Sequence, residues 1–345
     1  MSTFSEIPPG MQPVEPKQGT GRWTPLWYAI AFVVVQLGAL TTCFIIAAHP
    51  WFLTHDDYPG VYQAGYGMRL THADCEVVLY GDSSALTGLD PQLIEKSTGL
   101  KTCNVAESAW VQALVGFQFP LDEYLRRNKR PRFILMMLTP PEFLPGEKPL
   151  DFLEADGMLY AFQYDHDPAI VHGLLHRPMW VLNFTLWAGK SIFEHELKQL
   201  FPSSRGVEVD TRKQRADRHG IWQFPFPPEV SCNYTRHDPR TVKRDAAGAA
   251  ATRKRYGVDG TQVIVDISPI SNCNPYADVY RRKLDGLHDN ALVALPMPYF
   301  NDADEHFSVK GSAYISTEAA NQILALMRQD NTAHQAQPAG ALSSQ

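Results

Sequence analysis

The sequence of 345 residues has no long run of basic side chains, and its formal net charge is −6. Proteins that bind nucleic acid need a basic surface to neutralise phosphates, so this composition argues against a nucleic-acid partner. No repeat with a period of about 20 to 50 residues is visible, which argues against a solenoid or a propeller. The chain also lacks a glycine-rich nucleotide loop and a zinc-ligand spacing, so we expect neither a cofactor nor a metal.

Cysteine is scarce, with five residues in the chain. Cys43 lies in the apolar segment described next, and the others are Cys75, Cys103, Cys232 and Cys273. In an oxidising compartment these later thiols can pair in several ways, and the sequence alone does not choose among them. Cys75 and Cys103 precede two strands that we predict to be neighbours, which favours that pair. The alternative is that all of them are buried free thiols.

Charged residues are absent from residues 26–48. As a helix this segment would be roughly 34 Å long at about 1.5 Å per residue. That length crosses a hydrocarbon core about 30 Å thick. The apolar part of a signal peptide is shorter, about 7 to 15 residues, so the segment predicts an uncleaved transmembrane anchor. Residues 1–25 are rich in Pro, Gly, Ser and Gln, and we expect them to be a disordered cytoplasmic N-terminus.

The charges that flank this anchor predict its orientation. Lys17 and Arg22 precede the apolar segment, whereas Asp56 and Asp57 follow it. The positive-inside rule therefore places the N-terminus in the cytoplasm and the chain beyond about residue 50 outside it. For a bacterial chain, this predicts a single-pass protein of the inner membrane with its main domain in the periplasm.

Beyond the anchor, short and continuously apolar segments alternate with helical ones. The predicted strands are 76–81, 103–106, 132–138, 261–267 and 291–296. The predicted helices are 90–99, 108–128, 241–256, 276–286 and 310–329. This alternation is typical of an α/β three-layer sandwich, whose mainly parallel sheet is covered on both faces. We predict such a domain over residues 70–328, with an aromatic-rich insertion at about 145–235 and a disordered tail over 329–345.

Two motifs at opposite ends of this domain carry the chemistry. In "GDSS", which follows the first predicted strand, Ser83 would lie at the carboxyl edge of the sheet. A serine hydroxyl needs a base within hydrogen-bond reach, and the base needs an orienting carboxylate. In "NDADEHFSVKG", before the last helix, His306 follows Asp304 by two residues and Asp302 by four. Such a carboxylate can accept a hydrogen bond from Nδ1 while Nε2 faces the serine.

The two motifs resemble those of the SGNH (GDSL-type) hydrolase superfamily, whose fold is SGNH/flavodoxin-like. They are most similar to its membrane-anchored branch, which includes the alginate O-acetylation proteins and the D-alanyl-transfer protein of teichoic acids. The resemblance implies that Ser83 is the nucleophile, His306 the base and Asp304 the orienting carboxylate, with Asp302 as the alternative. It covers the sheet core and does not extend to the insertion.

The chain departs from the family pattern at two places. Ser108 or Ala109 stands where the second block has a glycine, and Thr139 follows the strand where the third block has an asparagine. The oxyanion hole is therefore only partly defined by the sequence. The candidate donors are the backbone N–H groups of Ser83 and Ser108 and the side chain of Asn104.

The resemblance implies an extracytoplasmic acyltransferase or esterase that handles an acetyl group on an exported polysaccharide, such as an alginate- or cellulose-like polymer. Transfer would require a multispanning membrane O-acyltransferase that delivers the acyl group. One alternative is a plain carbohydrate esterase or deacetylase. Another is a non-catalytic scaffold or polymer-binding subunit of an exopolysaccharide synthesis or secretion complex. In the latter, Ser83 would be a turn hydroxyl and His306 a surface histidine.

Overall fold

A computed structural model describes the chain in several stretches: residues 24–47, 66–67, 70–106, 119–143, 217–223, 246–301 and 306–335, with single positions at 176, 179, 182 and 186. The chain divides into two compact units, Met1–Ile45 and Ile46–Gln345. The predictions for residues 1–23, for most of the insertion and for 336–345 lie outside the described residues.

The N-terminal apolar segment is helical. Helix α1 spans Thr24–Ala47, which confirms a helix over the segment predicted from the absence of charge. Its large apolar side chains, from Leu26 to Leu37 and at Ile45, are exposed wherever they are described. Side chains are described for residues 25–39, 41, 42 and 45 of this helix. Within the part of the chain that the structure describes, no helix is both long and apolar enough to cross a membrane.

The second unit is built on a four-stranded parallel sheet. Its strands are β1 (Val77–Gly81), β2 (Thr102–Asn104), β3 (Phe133–Leu138) and β4 (Gln262–Ile267), in the order β2-β1-β3-β4. Every residue of β1 and β3 is buried. A parallel sheet that is covered on both faces needs apolar side chains on both, which explains why these strands are continuously apolar.

Helices pack on both faces of this sheet. They are α2 (Ser83–Gly88), α3 (Pro91–Thr98), α4 (Phe119–Arg127), α5 (Ala246–Tyr256), α6 (Ala277–Leu284) and α7 (Val309–Gln335), with single turns of 3₁₀ helix at Pro140–Phe143 and Met297–Tyr299. Residues of α4, α5 and α6 join the core on one face, and residues of α2, α3 and α7 join the core on the other. The described unit is therefore an α/β structure with a parallel sheet, compatible with the predicted three-layer sandwich.

Helix α3 shows how local sequence sets its ends. The Asp90 side chain accepts a hydrogen bond from the Gln92 N–H at 3.0 Å, and Pro91 occupies the first helical position. Gly99 ends the helix with a φ of 73°, which is a conformation that glycine adopts without strain. These are the signals from which the helix was predicted, and the prediction is confirmed.

The last predicted strand is wrong in extent. Only Ala294–Leu295 forms a strand, β6, and it pairs in parallel with Ile270–Ser271 (β5) in a separate two-stranded sheet. Side chains take its place beside β4. The Asn290 amide accepts from the Ile267 N–H at 2.9 Å and donates to its carbonyl at 2.8 Å. These bonds satisfy the backbone of Ile267 at the edge of β4, where the described residues form no fifth strand.

The C-terminal tail was predicted to be disordered from residue 329, and this is wrong for its first residues. Helix α7 continues to Gln335. The buried side chains Ile315, Ala319 and Ile323 hold its first part against the sheet. The remaining residues of the helix extend the same hydrogen-bonded backbone, which costs less than starting a new helix.

The favoured disulfide is confirmed. Cys75 and Cys103 are bonded, with their Cα atoms 5.9 Å apart. Cys103 lies in β2, and Cys75 lies just ahead of the neighbouring strand β1. Cys273 is also disulfide-bonded. The alternative of free thiols is therefore wrong for these three residues.

Candidate active site

The "GDSS" motif forms the turn between β1 and α2, at the carboxyl edge of the sheet. Strand β1 lies inside the sheet, between β2 and β3. Gly81 ends this strand with a φ of 146°, and a Cβ atom there would collide with the carbonyl oxygen of Met137 in β3. Only glycine fits this backbone at so close an approach. The turn that follows presents Ser83 as the first residue of α2.

Asp82 has a structural role that the sequence analysis did not identify. Its carboxylate is 4% exposed, and its Oδ1 accepts hydrogen bonds from the N–H and the hydroxyl of Ser84 at 2.9 and 2.6 Å. Its Oδ2 accepts from the N–H and the hydroxyl of Thr139 at 2.7 and 2.8 Å. Asp82 therefore caps α2 and ties it to the end of β3. An Asp directly before a helix is a known N-cap signal, and it could have indicated half of this role.

The two serines of the motif differ in what they contact. Ser84 is fully buried, and its hydroxyl donates to Asp82. Ser83 is half-buried, and within the described part of the chain neither its hydroxyl nor its backbone N–H makes a hydrogen bond. Of the two hydroxyls, that of Ser83 is therefore the one available to react.

The segment formed by His306 and Phe307, here called the histidine segment, lies beside α2. Thr87, one turn after Ser83, donates its hydroxyl hydrogen to the Ser83 carbonyl at 2.9 Å. The same hydroxyl oxygen accepts a hydrogen bond from the backbone N–H of Phe307 at 3.2 Å, across a sequence separation of 220. The structure thus brings the residue that follows His306 to within two hydrogen bonds of the candidate nucleophile.

Aromatic packing holds this segment in place. Phe307 is 1% exposed, its ring lies against that of Phe300 with centroids 5.1 Å apart, and the two residues form a β-bridge. The carbonyl of His306 accepts from the N–H of Asn301 at 2.7 Å. Gly88 lies under the Phe307 ring, and a Cβ atom there would overlap the ring. The backbone from His306 to Phe307 is therefore fixed, and His306 as a residue is half-buried.

Several of the predicted site residues are not placed. Asp302, Asp304 and Ser108 lie outside the described residues. The orienting carboxylate and the second oxyanion donor thus remain predictions.

The prediction of Asn104 as an oxyanion donor is not supported by its contacts. Its side chain is fully buried, and its Nδ2 donates to the carbonyls of Ala85 and Leu89 at 3.0 and 2.8 Å. Its Oδ1 accepts from the N–H of Ala106 at 2.9 Å. Both amide hydrogens are used, so none is left for an oxyanion. Asn104 instead joins the end of β2 to the last turn of α2.

Thr87 offers a test of whether the Phe307 contact positions the histidine. Thr87→Val keeps the shape but leaves the buried Phe307 N–H without an acceptor, which costs about 1 to 3 kcal/mol of unfolding free energy. If His306 is the base, kcat for an acetyl ester should fall by about tenfold or more, because small displacements of a catalytic group are costly. Thr87→Ser retains the hydroxyl and should retain kcat. Equal kcat values for the two variants would contradict a positioning role.

Ser83 and the backbone that follows His306 are thus brought together at the carboxyl edge of a parallel sheet, where ligands bind in such folds. Within the described residues, no group of three or more His, Cys, Asp or Glu side chains could hold a metal ion. No protein-family model matches the chain, and no match was found among curated proteins or solved structures.

Proposed function

We propose that this chain is a serine acyltransferase or esterase of the SGNH type that handles an acetyl group on an exported polysaccharide. One observation carries the proposal. The Ser83 hydroxyl, at the carboxyl edge of the sheet, makes no hydrogen bond with the described residues. The backbone N–H of Phe307, next to His306, donates to Thr87 in the helix that begins at this serine. A scaffold would require neither the unbonded hydroxyl nor the link between the two ends of the domain.

The chemistry of the proposal uses two residues of this chain. The Ser83 oxygen attacks the acyl carbon while the imidazole of His306 takes the hydroxyl proton. The carbonyl oxygen gains the negative charge, and the Ser83 N–H can stabilise it. Collapse of the intermediate expels the donor oxygen, which receives the proton from His306. A sugar hydroxyl or water then attacks the acyl carbon and loses its proton to His306. The bond from the acyl carbon to the Ser83 oxygen breaks, and His306 returns the proton to that oxygen.

The acyl-enzyme can be trapped. The full chain in detergent micelles is mixed with p-nitrophenyl acetate, quenched in acid and digested for mass spectrometry. We expect one acetyl group on the peptide that contains Ser83, localised to Ser83 and not to Ser84, which is enclosed by Asp82. Ester turnover without an acetyl group on Ser83 would contradict the proposal. Adding an oligosaccharide acceptor separates the two forms of the proposal, because transfer yields an acetylated sugar and hydrolysis yields acetate.

The proposal places the catalytic unit outside the cytoplasm, with the charge-free segment 26–48 as its anchor. The charge-free segment 26–48, the exposed apolar side chains of α1 and the disulfide between Cys75 and Cys103 support this placement. Disulfides persist in the periplasm and are rare in the cytosol. Transfer would take its acyl group from a multispanning membrane O-acyltransferase, whereas a plain esterase needs no such partner.

The topology has a direct test. A C-terminal alkaline phosphatase fusion to the full chain should be active, because alkaline phosphatase folds only in an oxidising compartment. A C-terminal green fluorescent protein fusion exported in the unfolded state should be dark. A dark phosphatase fusion together with a fluorescent one would place the catalytic unit in the cytoplasm and overturn this part of the proposal.

A further inference from the structure

A cavity of about 400 Å³ lies between α7, the end of β4 and residues 289–293. Sites for small molecules in proteins typically have volumes of about 300 to 1,000 Å³, so a small organic molecule fits. Leu89, Met137, Val293 and Ile315 provide an apolar wall. The proposed acyl transfer uses none of the polar groups that line this cavity.

Asp266 is the most buried charged group of the cavity. Its side chain lies in β4 and is 6% exposed. Its Oδ1 accepts a hydrogen bond from the Gln322 amide of α7 at 3.1 Å. Its Oδ2 receives no hydrogen bond from the described residues. A carboxylate group that is so little exposed is poorly hydrated, so its free oxygen is suited to a ligand that brings a hydrogen-bond donor.

The charge of the lining has one sign. Asp266, Asp289 and Glu318 line the cavity, and none of the lining residues that the structure describes is a Lys, Arg or His. From outside the lining, Arg253 donates to Oδ1 of Asp289 at 3.0 Å, and the Val265 N–H donates to its Oδ2 at 2.8 Å. Asp289 is therefore ion-paired, whereas among the described residues only the neutral amide of Gln322 donates to the Asp266 side chain.

Burial is also the main reason that the pKa of Asp266 is raised to about 7. The charge of Asp289 raises this pKa further, while the Gln322 hydrogen bond and the charge of Arg253 oppose the shift. Near neutral pH the carboxyl group is thus close to its midpoint, and a cation placed beside it would favour the ionised form.

We propose that this cavity is a binding site for a small organic cation, an alkylammonium group on an apolar body, with the ammonium held by Asp266. The ammonium donates to the carboxylate oxygen that has no donor, and the apolar body packs on the wall formed by Leu89, Met137, Val293 and Ile315. Hydrogen bonds between charged partners are stronger than neutral ones, and a low-dielectric site strengthens them further. An anionic ligand would be repelled by the same lining.

The binding is linked to protons. Because the cation pairs with ionised Asp266, binding releases a proton at pH values below the midpoint of this group. Affinity for an amine should therefore rise as the pH increases from 5 to about 7, a range in which an alkylamine stays protonated. The other titratable or charged groups that face the site from the described residues are Asp289, Glu318 and Tyr314 in the lining and Arg253 behind Asp289.

The test uses two probes of nearly the same shape, cyclohexylamine and cyclohexanol, with the full chain in detergent micelles. Titrations followed by saturation-transfer NMR should show that the amine binds and that the alcohol binds at least about tenfold more weakly. Asp266→Asn keeps the size of the side chain and should weaken amine binding by roughly 10- to 100-fold. The matched control is Asp278→Asn on α6, where the carboxylate is 74% exposed and amine binding should not change.

A second variant covers the case in which Asp266→Asn does not fold. Ala319→Leu fills the cavity from α7 while leaving Asp266 in place, and it should abolish binding of the amine. Equal binding of the amine and the alcohol would overturn the proposal. Amine binding that survives in Ala319→Leu, or in a folded Asp266→Asn, would overturn it as well. The acetyl-serine experiment is independent of this outcome, because it reports on Ser83 alone.

Discussion

Ser83→Ala should lower the turnover of an acetyl ester by about a thousandfold or more and leave the free energy of unfolding almost unchanged. The proposed reaction needs the Ser83 oxygen itself, because that atom forms the bond to the acyl carbon. The fold does not need it, since this hydroxyl makes no hydrogen bond within the described part of the chain. Steady-state kinetics and urea denaturation of the same preparations measure both effects.

The neighbouring serine provides a matched control. Ser84→Ala removes the buried hydroxyl that donates to Asp82 at 2.6 Å, which should cost about 1 to 2 kcal/mol of unfolding free energy. It should leave ester turnover within about tenfold of the native value. Ser83→Ala should thus lower turnover and spare stability, whereas Ser84→Ala should lower stability and spare turnover. If a stably folded Ser83→Ala retained full turnover and full acetylation of the exported polymer, the scaffold alternative would replace the enzyme.

Asp266→Asn should make the protein more stable at pH 8, with little effect near pH 4. Burial raises the pKa of this carboxyl from 3.8 to about 7. Between these values the folded state holds a proton that the unfolded state has released, so the unfolding free energy of the native protein falls as pH rises. Above about pH 7 the carboxyl group is ionised in both states, and the folded state then bears the full free-energy cost of burying its charge. At about 1.4 kcal/mol per pKa unit, the penalty is on the order of 4 kcal/mol.

Urea denaturation at pH 4.5 and pH 8 tests this expectation. The asparagine variant cannot ionise, and its Oδ1 can still accept from Gln322, so its stability should lack this component of the pH dependence. Asp278→Asn, at an exposed position on α6, should follow the native protein. Parallel pH curves for native protein and Asp266→Asn would mean that Asp266 is solvated, and the prediction would be wrong.

Much of the fold could be predicted because its signals are local. Strands β1 and β3 are continuous apolar segments and β4 is largely apolar, as burial on both faces of a parallel sheet requires. Helix α3 carries its own start and stop residues. The pairing of Cys75 with Cys103 followed from the prediction that β1 and β2 are neighbours. In each case, a few adjacent residues contain the physical cause.

The candidate site could be predicted only in part. The sequence indicated Ser83 and His306 because they occur at the two ends of the domain. In the structure, the N–H of Phe307 donates a hydrogen bond to Thr87, which lies in the helix that begins at Ser83. The sequence did not indicate that Asn104 is fully hydrogen-bonded within the fold, or that Asp82 joins α2 to Thr139. A hydrogen bond of this kind depends on which distant backbone groups come within about 3 Å, and no local pattern records that.

The sequence by itself determined that this is an α/β chain with a charge-free N-terminal helix, a strand-terminal serine and a late histidine. Composition and periodicity suffice for these features, because burial and helix ends select residue types locally. Only the tertiary structure decided which serine is unbonded, that polar side chains replace a fifth strand beside β4, and that Asp266 lines a cavity. These features depend on contacts between residues far apart in the chain, and only folding brings those residues together.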